Sequence, residues 1–143
     1  MKTEDEYSKY LVAEFEYWEV YVHQHQENLG RSYFWAKRAD ATDFLDMIPE
    51  EQTEFFEVAR KLRSALTTLF KPDLFNYEDL ENETRHLHVH VTPRYSRSRE
   101  FAGITFLDSQ FGGRLIPKRT PFPDEVIFKI RDAIKEQLDK NPP

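Results

Sequence analysis

The stretch Arg85-His86-Leu87-His88-Val89-His90-Val91-Thr92-Pro93-Arg94-Tyr95 carries a histidine at every second position from 86 to 90. On an extended strand, successive side chains point to opposite faces. His86, His88 and His90 then project together, while Leu87, Val89 and Val91 project to the other side. The apolar set suits the interior and would lock the register. Two chemistries fit the polar set. A neutral imidazole is a nucleophile toward phosphorus, and a second one can donate a proton or hydrogen bond at the reacting phosphate. Imidazole is also a common ligand of divalent metals. A histidine-rich strand at a solvent-facing edge is the plain structural alternative. Three histidines at strict strand spacing, with apolar residues between them, argue against it.

The rest of the chain must position this segment. Thr3 to Glu14 carries Tyr7, Tyr10 and Leu11, with Phe15 following, at a spacing that suits a short amphipathic helix. Glu16 to His23 is aromatic and β-branched, with Trp18, Val20 and Val22 on one face, and reads as a strand. Gln24 to Gly30 is a polar connection, and Arg31 to Lys37 is a second strand candidate. Pro49-Glu50-Glu51 is a helix start, because proline suits the first turn and acids favour the positive end of the helix dipole. Phe55, Val58, Ala59, Leu62, Ala65, Leu66 and Leu69 then form an apolar stripe, ended by Lys71-Pro72-Asp73. Leu74 to Tyr77 is short and β-like, Glu78 to Arg85 is a charged loop, and His86 to Thr92 is the histidine strand. Residues 96–122 lack a clear period, so an extended, partly irregular segment is expected there. Pro123-Asp124-Glu125 opens a last helix with Val126, Ile127, Ile130, Ile134 and Leu138 as its stripe. The expected fold class is α+β, a mainly antiparallel sheet with a long helix packed on it and a C-terminal helix. No repeat is present, and Asn141-Pro142-Pro143 cannot continue a helix.

Composition narrows the function classes. The chain has 143 residues, enough for one domain over 1–143 with a real core and too few for two. Twenty-six acidic against 20 basic residues give a formal charge of −6, which disfavours a nucleic-acid or anionic-membrane partner. No apolar run approaches the roughly 20 residues that span a bilayer. The opening MKTEDEYSKY has no apolar stretch of the signal-peptide kind, so a cytoplasmic location is expected. Cysteine is absent, which excludes disulfides, thiolate nucleophiles and cysteine-ligated metals.

The segment resembles the histidine triad family, whose motif is His-φ-His-φ-His-φ-φ with φ apolar. The match runs from His86 to Val91, with Thr92 in the last place. Pro93-Arg94 is similar to the pair that follows the triad in the dinucleoside polyphosphate hydrolase-like branch. Leu80-Glu81-Asn82 resembles that family's Leu-Gly-Asn element, and the Pro49 to Phe70 helix has the family's usual position. The resemblance spans about residues 16–95 and implies a HIT-like domain that pairs into a homodimer. It also implies a substrate such as diadenosine tetraphosphate, another dinucleoside polyphosphate, or a nucleoside phosphoramidate. By position, His88 is the expected nucleophile on the α-phosphorus, His90 assists the leaving group and His86 orients the set. Asn82 is the first candidate for a donor at the phosphate and Asn76 the second, although asparagine is also common in loops. No cofactor is required, although a divalent cation can ride on the polyphosphate.

The chain departs from the family pattern at several places. Arg31 stands where many relatives carry histidine, and arginine can pair with phosphate. His23 stands where relatives carry asparagine, Arg85 replaces a proline, and Glu83 would repel a phosphate unless it is turned or paired. His23 and His25 read better as a solvated turn than as additions to the triad. Arg94, Arg97 and Arg99 divide evenly between a site for far phosphates and a solvated flank. Trp18, Phe34 and Trp35 read as core rather than as a platform for a base. Two other classes remain open at this point: a non-catalytic nucleotide-binding module, and a metalloenzyme using the three histidines as ligands.

Overall fold

A computed structural model describes residues 4–116, 118, 119 and 121–140. In chain order it contains α1 (Glu4–Tyr7), β1 (Leu11–Glu14), β2 (Trp18–Val22), β3 (Ser32–Ala36), α2 (Pro49–Phe70) and β4 (Leu74–Glu78). These are followed by β5 (His88–Arg94), β6 (Arg99–Phe101), β7 (Ile104–Phe106) and α3 (Asp124–Lys140). Short 3-10 turns occupy Ser8–Tyr10 and Phe44–Asp46. Two N-terminal expectations change. The helix expected over residues 3–14 is confined among described residues to Glu4–Tyr7 and a 3-10 turn. Leu11–Glu14 is a strand, because it finds an antiparallel partner in β2, where Ala13 pairs Val20 and Glu14 pairs Glu19. Tertiary pairing overrides the local helical spacing. Thr3 and the 141–143 tail lie outside the described residues.

The five-stranded sheet has the order β1-β2-β3-β5-β4, and every neighbouring pair is antiparallel. β3 and β4 both flank β5, so α2 is the crossover that carries the chain from one side of β5 to the other. The histidine strand is therefore central. It begins two residues later than the sequence suggests, at His88, and continues through Pro93 to Arg94. A proline inside a ladder removes a donor. Here Pro93 stays in register opposite Phe75, and its carbonyl accepts a bond from Asn28 Nδ2 at 2.9 Å.

One face of the sheet carries the core. Trp18, Val20 and Val22 of β2, Phe34 of β3, and Leu87, Val89 and Val91 around β5 are all buried. They meet the apolar stripe of α2 (Phe55, Val58, Leu62, Leu66, Phe70) and that of α3 (Val126, Ile127, Ile130, Ile134). Trp18, Phe34 and Phe55 contact one another at ring-centroid distances of 5.1–6.2 Å. Burying an aliphatic side chain is worth roughly 1.5–3 kcal/mol. A one-residue slip of β5 would expose Leu87, Val89 and Val91 together, a loss of about 5 kcal/mol or more, comparable with a domain's whole net stability. That constraint fixes which face the histidines occupy.

The irregular 96–122 segment contains a separate hairpin of β6 and β7, turned at Ala102 (φ 53°) and Gly103 (φ 75°). Positive φ at both central residues matches the twist of a two-residue hairpin. No helix among the described residues is long and apolar enough to cross a membrane.

Gly30, at the end of the β2–β3 connection, has φ +90°, and a Cβ there would lie 2.9 Å from Leu66 Cδ2 and 3.2 Å from Phe70 Cδ2. Both neighbours are buried core of α2. Gly30→Ala is therefore expected to lower unfolding stability by about 2 kcal/mol, read as a reduced urea midpoint. An unchanged midpoint would mean that the close approach is not real.

Candidate active site

The polar face of β5 lines a cavity of about 680 Å³. His88 and His90 project into it, together with Tyr33 and Trp35 from β3. The register explains the grouping: Tyr33 lies opposite His90 and Trp35 opposite His88, so all four share one face. The rings of His88 and His90 are 5.1 Å apart and nearly perpendicular.

His86 lies just before β5 and does not line the cavity. Its ring stacks on Trp35 at 4.2 Å, and its Nε2 is 2.6 Å from the carbonyl of Ala36. The expectation that three rings project together therefore holds for two rings in the cavity and one at its rim. The local reason is that the Leu87 carbonyl accepts the last ladder bond, from the Ala36 N–H, while the Leu87 N–H turns away to the carbonyl of Ala41, so the ladder ends before His86.

His86 contributes through its backbone. Its carbonyl lies 2.6 Å from Nδ1 of His88. A carbonyl only accepts, so Nδ1 of neutral His88 carries the proton and Nε2 carries the lone pair. The same reasoning fixes His23. Its Nδ1 accepts from the His25 backbone N–H at 3.0 Å, which leaves the proton of neutral His23 on Nε2. His23 and His25 line the cavity instead of forming a solvated turn. The ring centroids run from His88 to His90 (5.1 Å), to His23 (5.7 Å) and to His25 (5.1 Å). His23 enters because its N–H bonds the carbonyl of Arg31 at 2.9 Å, extending the β2–β3 pairing one step beyond the strands.

The remaining expected residues separate. Asn82 and Arg31 line the cavity. Asn76 does not, and its Oδ1 accepts from Arg94 Nη1 at 2.7 Å. Glu83 lines the mouth and is ion-paired with Arg119, so its charge is neutralised rather than aimed at a ligand. Trp18 and Phe34 are core, as expected, whereas Trp35 belongs to the cavity wall. Tyr7, Tyr10, Ile116 and Arg119 also line the cavity. Sequence reasoning missed them. For Tyr33 and Trp35 a signal existed in the alternation of Tyr33-Phe34-Trp35 beside an antiparallel histidine strand.

The basic run after the triad is structural. The Arg94 guanidinium is buried and donates from Nε to Asp108 Oδ2 at 2.7 Å, from Nη2 to the carbonyl of Gln110 at 2.8 Å, and from Nη1 to that of Gly113 at 3.1 Å. Burial pulls the Asp108 carboxyl up, but hydrogen bonds from Arg94 and from the N–H groups of Tyr95 and Gln110 outweigh it and hold the group below its usual range. Arg99 donates to the carbonyls of Phe70 (2.9 Å) and Lys71 (2.6 Å), closing the C-terminal end of α2. Neither arginine lines the cavity. Arg94 instead hangs the 108–113 loop, which continues to Ile116 through a two-way side-chain bond of Gln110. Lys118 then pairs with Glu27 at 3.5 Å, so the segment straps across from the β4–β5 loop to the β2–β3 turn.

Comparison with solved structures defines the fold. A histidine triad protein from Sinorhizobium meliloti 1021 superposes with a TM-score of 0.75 at 17% identity, covering 95% of this chain and 96% of that one. A protein described as a hypothetical histidine triad nucleotide-binding protein from Sulfolobus tokodaii gives 0.69 at 18% identity, covering 92% and 84%. A histidine triad protein from Marinobacter aquaeolei gives 0.70 at 16% identity, covering 97% and 96%. The fold is HIT-like, an antiparallel five-stranded sheet with helices in an α+β arrangement. Residues 35–97, from Trp35 in β3 to just beyond the triad, match the model of the HIT domain family. Comparison with curated proteins finds no match.

The buried Arg94–Asp108 pair gives a direct test of the strap. Arg94→Met leaves a buried carboxylate unpaired and is expected to cost about 3–5 kcal/mol in urea unfolding. Arg94→Met combined with Asp108→Leu should recover much of that loss. No recovery in the double variant would contradict the pairing.

Proposed function

We propose that the chain is a histidine triad hydrolase or nucleotidyl transferase that attacks the α-phosphate of a dinucleoside polyphosphate of the diadenosine tetraphosphate type, or of a nucleoside phosphoramidate. The observation that supports this most is the bond from His88 Nδ1 to the His86 carbonyl. It leaves a lone pair on Nε2 of a ring that lines the cavity. Nε2 forms a bond to phosphorus, and the bond to the leaving group breaks. His90, 5.1 Å away, hydrogen-bonds the phosphate and supplies the proton the leaving group needs. Water then attacks the same phosphorus, the P–N bond breaks, and the nucleotide leaves with His88 restored. Dividing one displacement into two lowers each barrier. His86 orients the set, since its pinned ring holds the carbonyl that sets the tautomer. Asn82 and Arg31 are the groups proposed to bind substrate phosphates. Asn76 takes no part in this scheme, because its side chain serves Arg94.

A three-histidine metal centre loses its support, because the His86 ring is spent on Ala36 and Trp35 rather than facing the cavity. A divalent cation, where one is used, rides on the polyphosphate. The proposed partner is a second copy of the chain, with neither nucleic acid nor a membrane. β4 ends the sheet, and its Leu74 and Tyr77 are about half exposed, as is Phe56 of the neighbouring α2. A free sheet edge beside apolar surface favours pairing. Tyr77→Glu is expected to convert a dimer to monomer in sedimentation, and a wild-type monomer would refute the pairing.

Incubation with labelled diadenosine tetraphosphate and a mildly basic quench should leave label on His88. His88→Ala should abolish the label and lower turnover by about three orders of magnitude or more. A variant that turns over like the parent would refute the role of His88. Tight nucleotide binding without turnover by the wild type would identify a binding module instead.

A further inference from the structure

Arg31 is 9% exposed, yet its guanidinium makes no hydrogen bond or ion pair among the described residues, and its Nε is buried without a partner. It lines the catalytic cavity together with Tyr33 and Trp35, one residue before β3 begins. The carboxylates that act on it, Glu78 and Glu27, lie beyond ion-pair distance, and Glu27 is already engaged by Lys118. Burial pulls its pKa down to about 10, so it stays protonated at neutral pH. A buried charge without a partner costs stability that the fold does not recover. His25 shows the same feature: its Nδ1 is buried, unpartnered, and belongs to a ring lining the cavity. The row from His88 through His90 and His23 to His25 leads from the nucleophile toward this group. That two such groups meet in one cavity, in a chain of net charge −6, indicates an anion that arrives with the substrate.

We infer that Arg31 and His25 form a second anion subsite, beside the position of the attacked phosphorus, which takes the phosphates of the leaving group. This rests on the reading of His88 as nucleophile and makes it narrower. The favoured substrates are phosphoanhydrides whose leaving group is itself a nucleoside polyphosphate, rather than phosphoramidates, whose leaving amine carries no negative charge. Arginine suits the task because its fork pairs with phosphate oxygens in a fixed geometry.

Three measurements on the full chain test this. Calorimetry with inorganic tripolyphosphate should show binding by the wild type that weakens about tenfold or more in Arg31→Met. No binding by the wild type, or equal binding by the variant, overturns the subsite. The ratio of kcat/KM for diadenosine tetraphosphate over an adenosine phosphoramidate should fall by about fivefold or more in the same variant, and a smaller change overturns the specificity. The thermal midpoint of Arg31→Met should be unchanged or higher, since a residue that merely braced the fold would lower it. The two readings fail separately. Tripolyphosphate binding that depends on Arg31, without label on His88, would sink the covalent mechanism alone. Labelled His88 with unchanged selectivity would sink only the subsite.

Discussion

The 2.6 Å contact between His88 Nδ1 and the carbonyl of His86 joins residues only two apart, yet much of the molecule holds it in place. The carbonyl is where it is because the His86 ring is anchored on Ala36 and stacked on Trp35. Trp35 in turn lies opposite His88 on the neighbouring strand. The strand cannot slip, because Leu87, Val89 and Val91 are buried against the helices. Core packing thus reaches the nitrogen proposed to react through one short chain of contacts: interior side chains, strand register, a pinned carbonyl, a tautomer.

The cavity lining mixes charge: His23, His25, His90 and Arg31 share it with Glu81, Asn82 and Glu83. Glu83 is ion-paired with Arg119 on the strap. The strap is suspended from Arg94, the second residue after Thr92 on the triad strand. One strand therefore supplies the proposed nucleophile, the core contacts that fix it, and the buried cation that holds the 108–113 loop.

The sequence was most legible where period and packing agree. The stripes of α2 and α3, the buried face of β2 and the outward face of β5 follow from hydrophobic spacing, and the resemblance at 86–91 pointed to the HIT-like fold. Legibility failed where a residue's partner is distant or its backbone leaves the regular ladder. Leu11–Glu14 looks helical alone and becomes a strand only beside β2. Arg94 looks like part of a basic flank until Asp108, 14 residues later, folds onto it. His23 and His25 look like turn residues until the Arg31 carbonyl draws the turn into the cavity. His86 obeys the alternation in spacing but leaves the strand just before it begins. No pattern in the sequence alone distinguishes a ring inside the cavity from one at its rim.

The proton on His88 Nδ1 is read directly by nitrogen-15 NMR of histidine-labelled protein at neutral pH. His88, assigned by its loss in a His88 variant, should show a protonated Nδ1 and an unprotonated Nε2. The opposite tautomer, with the proton on Nε2, would leave the ring facing the cavity without a nucleophilic lone pair and would contradict the account.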